Sequence, residues 1–98
     1  MAKGYWVVRV DVIDPEQFKM YQAFVGPFLD AHEGRFLVRG GRNAVPEGMA
    51  RQRTVVVEFP SYEAALTAYD SSEYQNGIAL RRDAGVVDFV IVEGCDAP

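Results

Sequence analysis

The chain has 98 residues, 49% hydrophobic and 24% charged, enough for one core and too short for a second domain. Its formal charge of -4 argues against nucleic acid, and its scattered arginines build no basic membrane-binding helix. The single cysteine, Cys95, forms no internal disulfide, and the sequence opens without a signal peptide or spanning run, so a cytoplasmic protein is expected.

The first predicted strand covers Tyr5 to Val12. There Trp6, Val8, Val10 and Val12 alternate with Tyr5, Val7, Arg9 and Asp11, giving one apolar face and one that mixes valine with charge. A helix starts at Asp14-Pro15-Glu16-Gln17: Asp14 caps free amides, Pro15 suits the first turn, and Gln17 completes a capping box. Phe18, Tyr21, Val25, Phe28 and Leu29 make its apolar stripe. Pro27 predicts a kink near Ala23 to Pro27, and Gly34 ends the helix with His32 in its last turn.

The second strand runs from Arg35 to Arg39, and Gly40-Gly41 beyond it suggests a bulge or a close backbone approach. Pro46-Glu47-Gly48 turns the chain into a third strand, Thr54 to Phe59. Pro60-Ser61 stops that strand and caps a helix from Tyr62 to about Asp70. Ser72-Glu73-Tyr74-Gln75 is a second capping box, from which the helical region continues to about Arg82. Gly85 releases the last strand, Val87 to Glu93, and a loose tail follows.

The order βαββαβ folds most simply into a single ferredoxin-like α+β domain over residues 1–98. Such a domain is a four-stranded antiparallel sheet, ordered 4-1-3-2, with both helices on one face. Val7, Leu37, Val56, Val90 and Val92 then share the uncovered face, which for five-residue strands measures roughly 300 Å² in projection. A twofold homodimer packed through the open sheet faces would bury it. Arg9, Asp11, Arg39, Glu58 and Asp88 fall on that face too and must pair or line a solvated cavity. The hairpin places Arg39 opposite Val56 or Glu58, so an Arg39–Glu58 pair is expected. Two readings of it stand: a structural ion pair at the sheet edge or dimer seam, or a guanidinium and carboxylate lining a ligand pocket between sheet and helices.

Gly34-Arg35-Phe36-Leu37-Val38-Arg39-Gly40-Gly41 and Val55-Val56-Val57-Glu58-Phe59-Pro60-Ser61-Tyr62-Glu63-Ala64-Ala65 resemble the DUF1330 family of small, mostly bacterial proteins. Tyr69-Asp70-Ser71-Ser72-Glu73-Tyr74-Gln75 and Asp88-Phe89-Val90-Ile91-Val92-Glu93-Gly94 resemble it as well, so the likeness spans Gly4 to Gly94. It implies a dimeric α/β barrel of ferredoxin-like type and no defined reaction. Relatives at superfamily level include cofactor-free monooxygenases, haem-degrading enzymes, lactone isomerases and chlorite dismutase-like proteins. Two departures stand out: Ser72 replaces the proline usual before the Glu-Tyr pair, and the lone histidine ends the first helix, which counts against haem breakdown.

The candidate ligand-binding residues are Arg39, Glu58, His32 and Tyr69. Arg39 would bind an anionic or carbonyl oxygen, with Glu58 orienting it or acting as base. His32 is the usual kind of acid–base residue, though at a helix end it also complements the dipole. The hydroxyls of Tyr69 and Tyr74 flank the break between the later helices and could reach a pocket, although aromatics at that spacing ordinarily fill a core. Trp6 is assigned to the core, and Arg51 and Arg53 to solvent at the hairpin end. No residues fall at metal-ligand spacing, and neither a metal nor a cofactor is expected. The expected function is that of a homodimeric small-molecule-binding protein or cofactor-independent enzyme acting on a small organic acid or aromatic metabolite. The alternative is a non-catalytic dimerisation or ligand-sensing module.

Overall fold

The computed structural model describes residues 2–96 in seven elements: β1 Gly4–Val12, α1 Pro15–Ala31, β2 Arg35–Arg39, β3 Arg53–Phe59, α2 Tyr62–Asp70, α3 Ser72–Ile78 and β4 Gly85–Glu93. The strands form one antiparallel sheet in the order β2-β3-β1-β4. The helices cover one face of it, which is the ferredoxin-like arrangement with its second helical unit split in two.

Ser71 makes the split. Its hydroxyl donates to the Ala68 carbonyl at 2.8 Å and accepts from the Tyr74 N–H at 3.1 Å, closing α2 and opening α3. The cap is therefore Ser71, one residue ahead of the predicted Ser72. α3 also stops earlier than expected, at Ile78 instead of near Arg82. Tight turns follow, and the Ala84 carbonyl accepts from the N–H groups of Ile13 and Asp14 at 2.7 and 3.0 Å. Those bonds tie the entry of β4 to the junction between β1 and α1.

α1 begins as its sequence dictates, with Asp14 accepting from the Gln17 N–H at 3.2 Å. The helix runs on through Pro27; Ala23, whose carbonyl loses a donor there, is exposed and can turn to water. At its end Glu33, not Gly34, takes the left-handed conformation, with φ 63°. The N–H groups of His32 and Gly34 both reach the Leu29 carbonyl, at 3.0 and 2.8 Å.

The core gathers around Trp6, whose indole donates to the Ala65 carbonyl at 2.9 Å. Its ring centre lies 4.9, 5.0 and 5.1 Å from those of Phe59, Tyr74 and Phe89. Val57, Phe28, Leu29 and Ala65 complete the packing between sheet and helices.

The β2–β3 register corrects one expectation. Arg35 pairs with Glu58 and Phe36 with Val57, but then Val38 pairs with Val56 and Arg39 with Val55. Leu37 is thus an extra residue, a β-bulge, and it reverses the facing of everything after it. Arg39 turns to the helix side, so the expected Arg39–Glu58 pair does not form. Glu58 stays on the open face, accepting from Arg35 and from the Tyr5 hydroxyl, each at 3.0 Å.

On that open face the register aligns Val38, Val56, Val7 and Val90 in a single row across all four strands. Arg35, Glu58 and Tyr5 flank the row on one side, and Thr54, Arg9 and Asp88 on the other.

Candidate functional site

A cleft opens between the helix-covered face of the sheet and α1. Its floor is apolar, made by Val8, Val10, Val55, Val87 and Phe89, and α1 supplies Phe18, Tyr21, Gln22 and Val25 to its wall. Three arginines, Arg39, Arg53 and Arg81, complete the lining, which contains no acidic residue and no histidine. The enclosed part of the hollow gives the centre of a water-sized molecule about 50 Å³ of room, and the rest opens to solvent at its mouth.

Each arginine has an identifiable reason for being there. The Leu37 bulge aims Arg39 at the helices, where its guanidinium lies 4.2 Å from the centre of the Phe36 ring. It lies beside Gly26 of α1, where a Cβ would meet the Arg39 Nη2 at 3.9 Å, an ordinary contact. Arg53 opens β3 opposite Val10 and so shares the inward face with Val55 and Val57. Its guanidinium packs against Gly40, a position with φ 71° where any Cβ would overlap it. The Gly40-Gly41 expectation of a close approach is therefore met at Gly40, while the bulge lies three residues earlier. The Arg53 Nε is buried and has no hydrogen-bond acceptor.

Arg81 arrives from the turns after α3, its guanidinium 5.2 Å from the Tyr21 ring centre. Tyr21 and Tyr74 place their hydroxyls 2.5 Å apart. Burial pushes the Tyr21 hydroxyl far above the usual phenol range, and the neighbouring Tyr74 oxygen pushes it further, against the lowering influence of Arg81. Burial likewise raises Tyr74, opposed by the hydrogen bond from Tyr21 and the charge of Arg81. Both phenols keep their protons and act as hydrogen-bond donors, not as bases.

No ion pair of the described residues brings a carboxylate to these arginines. Among the described residues the ion pairs are Lys19–Glu16, His32–Glu73, Arg35–Glu58, and Arg51 with both Asp11 and Asp88. None engages Arg39, Arg53 or Arg81. The cleft of a net-acidic protein thus holds three uncompensated cations over an apolar floor. Arg51, expected in solvent, instead bridges Asp11 at 3.1 Å and Asp88 at 2.9 Å, which anchors the exposed β2–β3 loop to the sheet. Those bonds hold its guanidinium proton more firmly than usual, Asp11 contributing most.

Of the four candidate residues, Arg39 alone lines this cleft. Glu58 faces the other side of the sheet. His32 stacks 4.2 Å from Phe28 and meets Glu73 at 3.3 Å, pinning the end of α1 to the start of α3. Tyr69 packs among Trp6, Tyr74 and Phe89, and its carbonyl accepts from Gln75 at 2.6 Å. The additional polar residues of the cleft are Gln22, Arg53, Arg81 and Tyr21. Arg53, expected in solvent at the hairpin end, instead begins β3 and shares the inward parity of Val55 and Val57. No sequence signal placed Arg81. Among the described residues no group of three or more His, Cys, Asp or Glu is arranged to hold a metal ion, and no helix is long and apolar enough to cross a membrane.

The sheet order, with the helices on one face, defines a ferredoxin-like α+β protein. The chain belongs to the DUF1330 family, a domain of unknown function, which it matches over residues 3–95. It is similar in fold to a Rhodopseudomonas palustris protein of unknown function, with TM-score 0.76 and 14% identity over 98% of this chain and 85% of that one. It is similar also to SnoaB, a cofactor-independent oxygenase from Streptomyces nogalater, with TM-score 0.65 and 13% identity over 99% of this chain and 97% of that one. No curated protein matches the sequence.

Proposed function

We propose that the protein binds a small organic anion with an apolar body in the cleft between sheet and helices, and that it does so as a homodimer. The observation that carries the ligand reading is three guanidinium groups without a carboxylate partner around one apolar floor. An anion would relieve their mutual repulsion and supply the acceptor that the buried Arg53 Nε lacks. Arg39 and Arg53 hold the anionic group, and the valine and phenylalanine floor takes the rest of the molecule.

Among the other candidates, Glu58 serves the open face, His32 braces α1 against α3, and Tyr69 fills the core. The dimer rests on that open face, where both signs of charge flank the valine row, a pattern that suits an identical partner. Arg9 lies there with its Nε buried and unpaired. A free, exposed Cys95 suits a reducing cytoplasm.

A second reading is a cofactor-independent enzyme, favoured by the likeness in fold to SnoaB. In this cleft the arginines would stabilise an oxyanion formed on the substrate. The lining lacks a carboxylate or histidine to take a proton, so binding stands first.

Calorimetric titration with carboxylates such as octanoate tests the proposal. Binding should weaken with salt. Arg53→Gln should lower affinity at least about tenfold, as expected for losing a charge-assisted hydrogen bond. Unchanged affinity in the folded variant would refute the site.

A further inference from the structure

Arg39 and Arg53 reach the cleft from β2 and β3, whereas Arg81 and Tyr21 stand on its β4 side. Tyr21 packs against the cluster of Val10, Phe18 and Ala84, which also takes in Val87 of β4. Between the two polar groups lies an apolar row, since Arg53 is paired across the sheet with Val10, and Val10 with Val87. Two strand spacings of ~4.8 Å put about 10 Å between β3 and β4.

The tyrosine pair meets the cleft through one member only. Tyr74 is fully buried and does not line the cleft, while Tyr21 does. The Tyr21 hydroxyl shares one hydrogen bond with Tyr74 and keeps its remaining hydrogen-bonding capacity for the cleft, beside the Arg81 charge.

We infer that the cleft recognises a two-headed ligand: an apolar body with an oxygen function at each end, of which an α,ω-dicarboxylate is the simplest form. Arg39 and Arg53 take one end, and Arg81 with the Tyr21 hydroxyl takes the other. The inference rests on the anion-binding reading of the same site and names the class of molecule it selects.

Octanoate and octanedioate separate the two ideas, because they share a chain and differ only in the second head. In calorimetric titrations octanedioate should bind at least about tenfold more tightly than octanoate. Tyr21→Phe should erase that advantage, and Arg81→Gln, a change at the same pole, should do likewise. Equal affinity for the two acids, or an advantage that survives both variants, would overturn the second pole while leaving the anion site standing. Binding of neither acid would overturn both.

Discussion

Tyr21 and Tyr74 keep protons that an unfolded chain would release, and this has a consequence for stability at high pH. Their ordinary value is 10.0, and both are raised in the folded protein, chiefly by burial. Below that value both states hold the protons, and the contribution to stability is fully present. Above it the unfolded chain binds fewer protons than the folded one, so stability falls as pH rises. The slope approaches about 1.4 kcal/mol per pH unit for each proton retained. Urea melts from pH 8 to 11 should be level up to about pH 10 and then drop. Tyr21→Phe, which removes one such proton, should flatten the drop. An identical alkaline profile in the variant would refute the assignment.

At the scale of elements, one extra residue decides which face of the sheet carries Arg39. Strict alternation puts Arg35, Leu37 and Arg39 on one side. The bulge lets Phe36 stay against the core while Leu37, 46% exposed, is looped out and Arg39 turns inward. Deleting Leu37 should then leave Phe36 opposite Val57, Val38 opposite Val56 and Arg39 opposite Val55, in an ordinary ladder. Octanoate affinity should survive that deletion, whereas inserting one residue after Val38 should turn Arg39 out and weaken binding at least about tenfold. Loss of binding on deletion with the fold intact would show that the bulge itself shapes the site. The strands, the caps Asp14 and Ser61, and the inward face of Trp6 were legible in the sequence because period and capping are local properties. The bulge was not, because nothing in Arg-Phe-Leu-Val-Arg marks which residue is looped out; only the competition of Phe36 and Leu37 for the core settles it. Arg81 was hidden for another reason. Its place depends on where α3 stops, and that follows from Ala84 bonding to Ile13 and Asp14 across the molecule.

At the scale of the whole molecule, the two faces of the sheet divide the labour. The helix-covered face holds the core and the cleft, and the open face holds the valine row with Leu37, Val86 and Val92 exposed around it. β1 and β4 are each nine residues long, so this face is larger than five-residue strands would give. In the proposed dimer that stripe is buried between the two copies, and Arg9, whose buried Nε is unpaired, finds a partner there. Val90 is the decisive position. It ends the row on an edge strand, is 53% exposed, and touches none of the cleft. Light scattering at micromolar concentration should give twice the chain mass for the native protein. Val90→Glu, which sets a carboxylate into the stripe of each copy, should halve that mass with the circular dichroism spectrum unchanged. Since the cleft opens on the opposite face, octanoate affinity should persist in the monomeric variant. A native protein already at the mass of one chain would refute the dimer. A monomeric variant that no longer binds octanoate would mean instead that association and the cleft are coupled through the sheet.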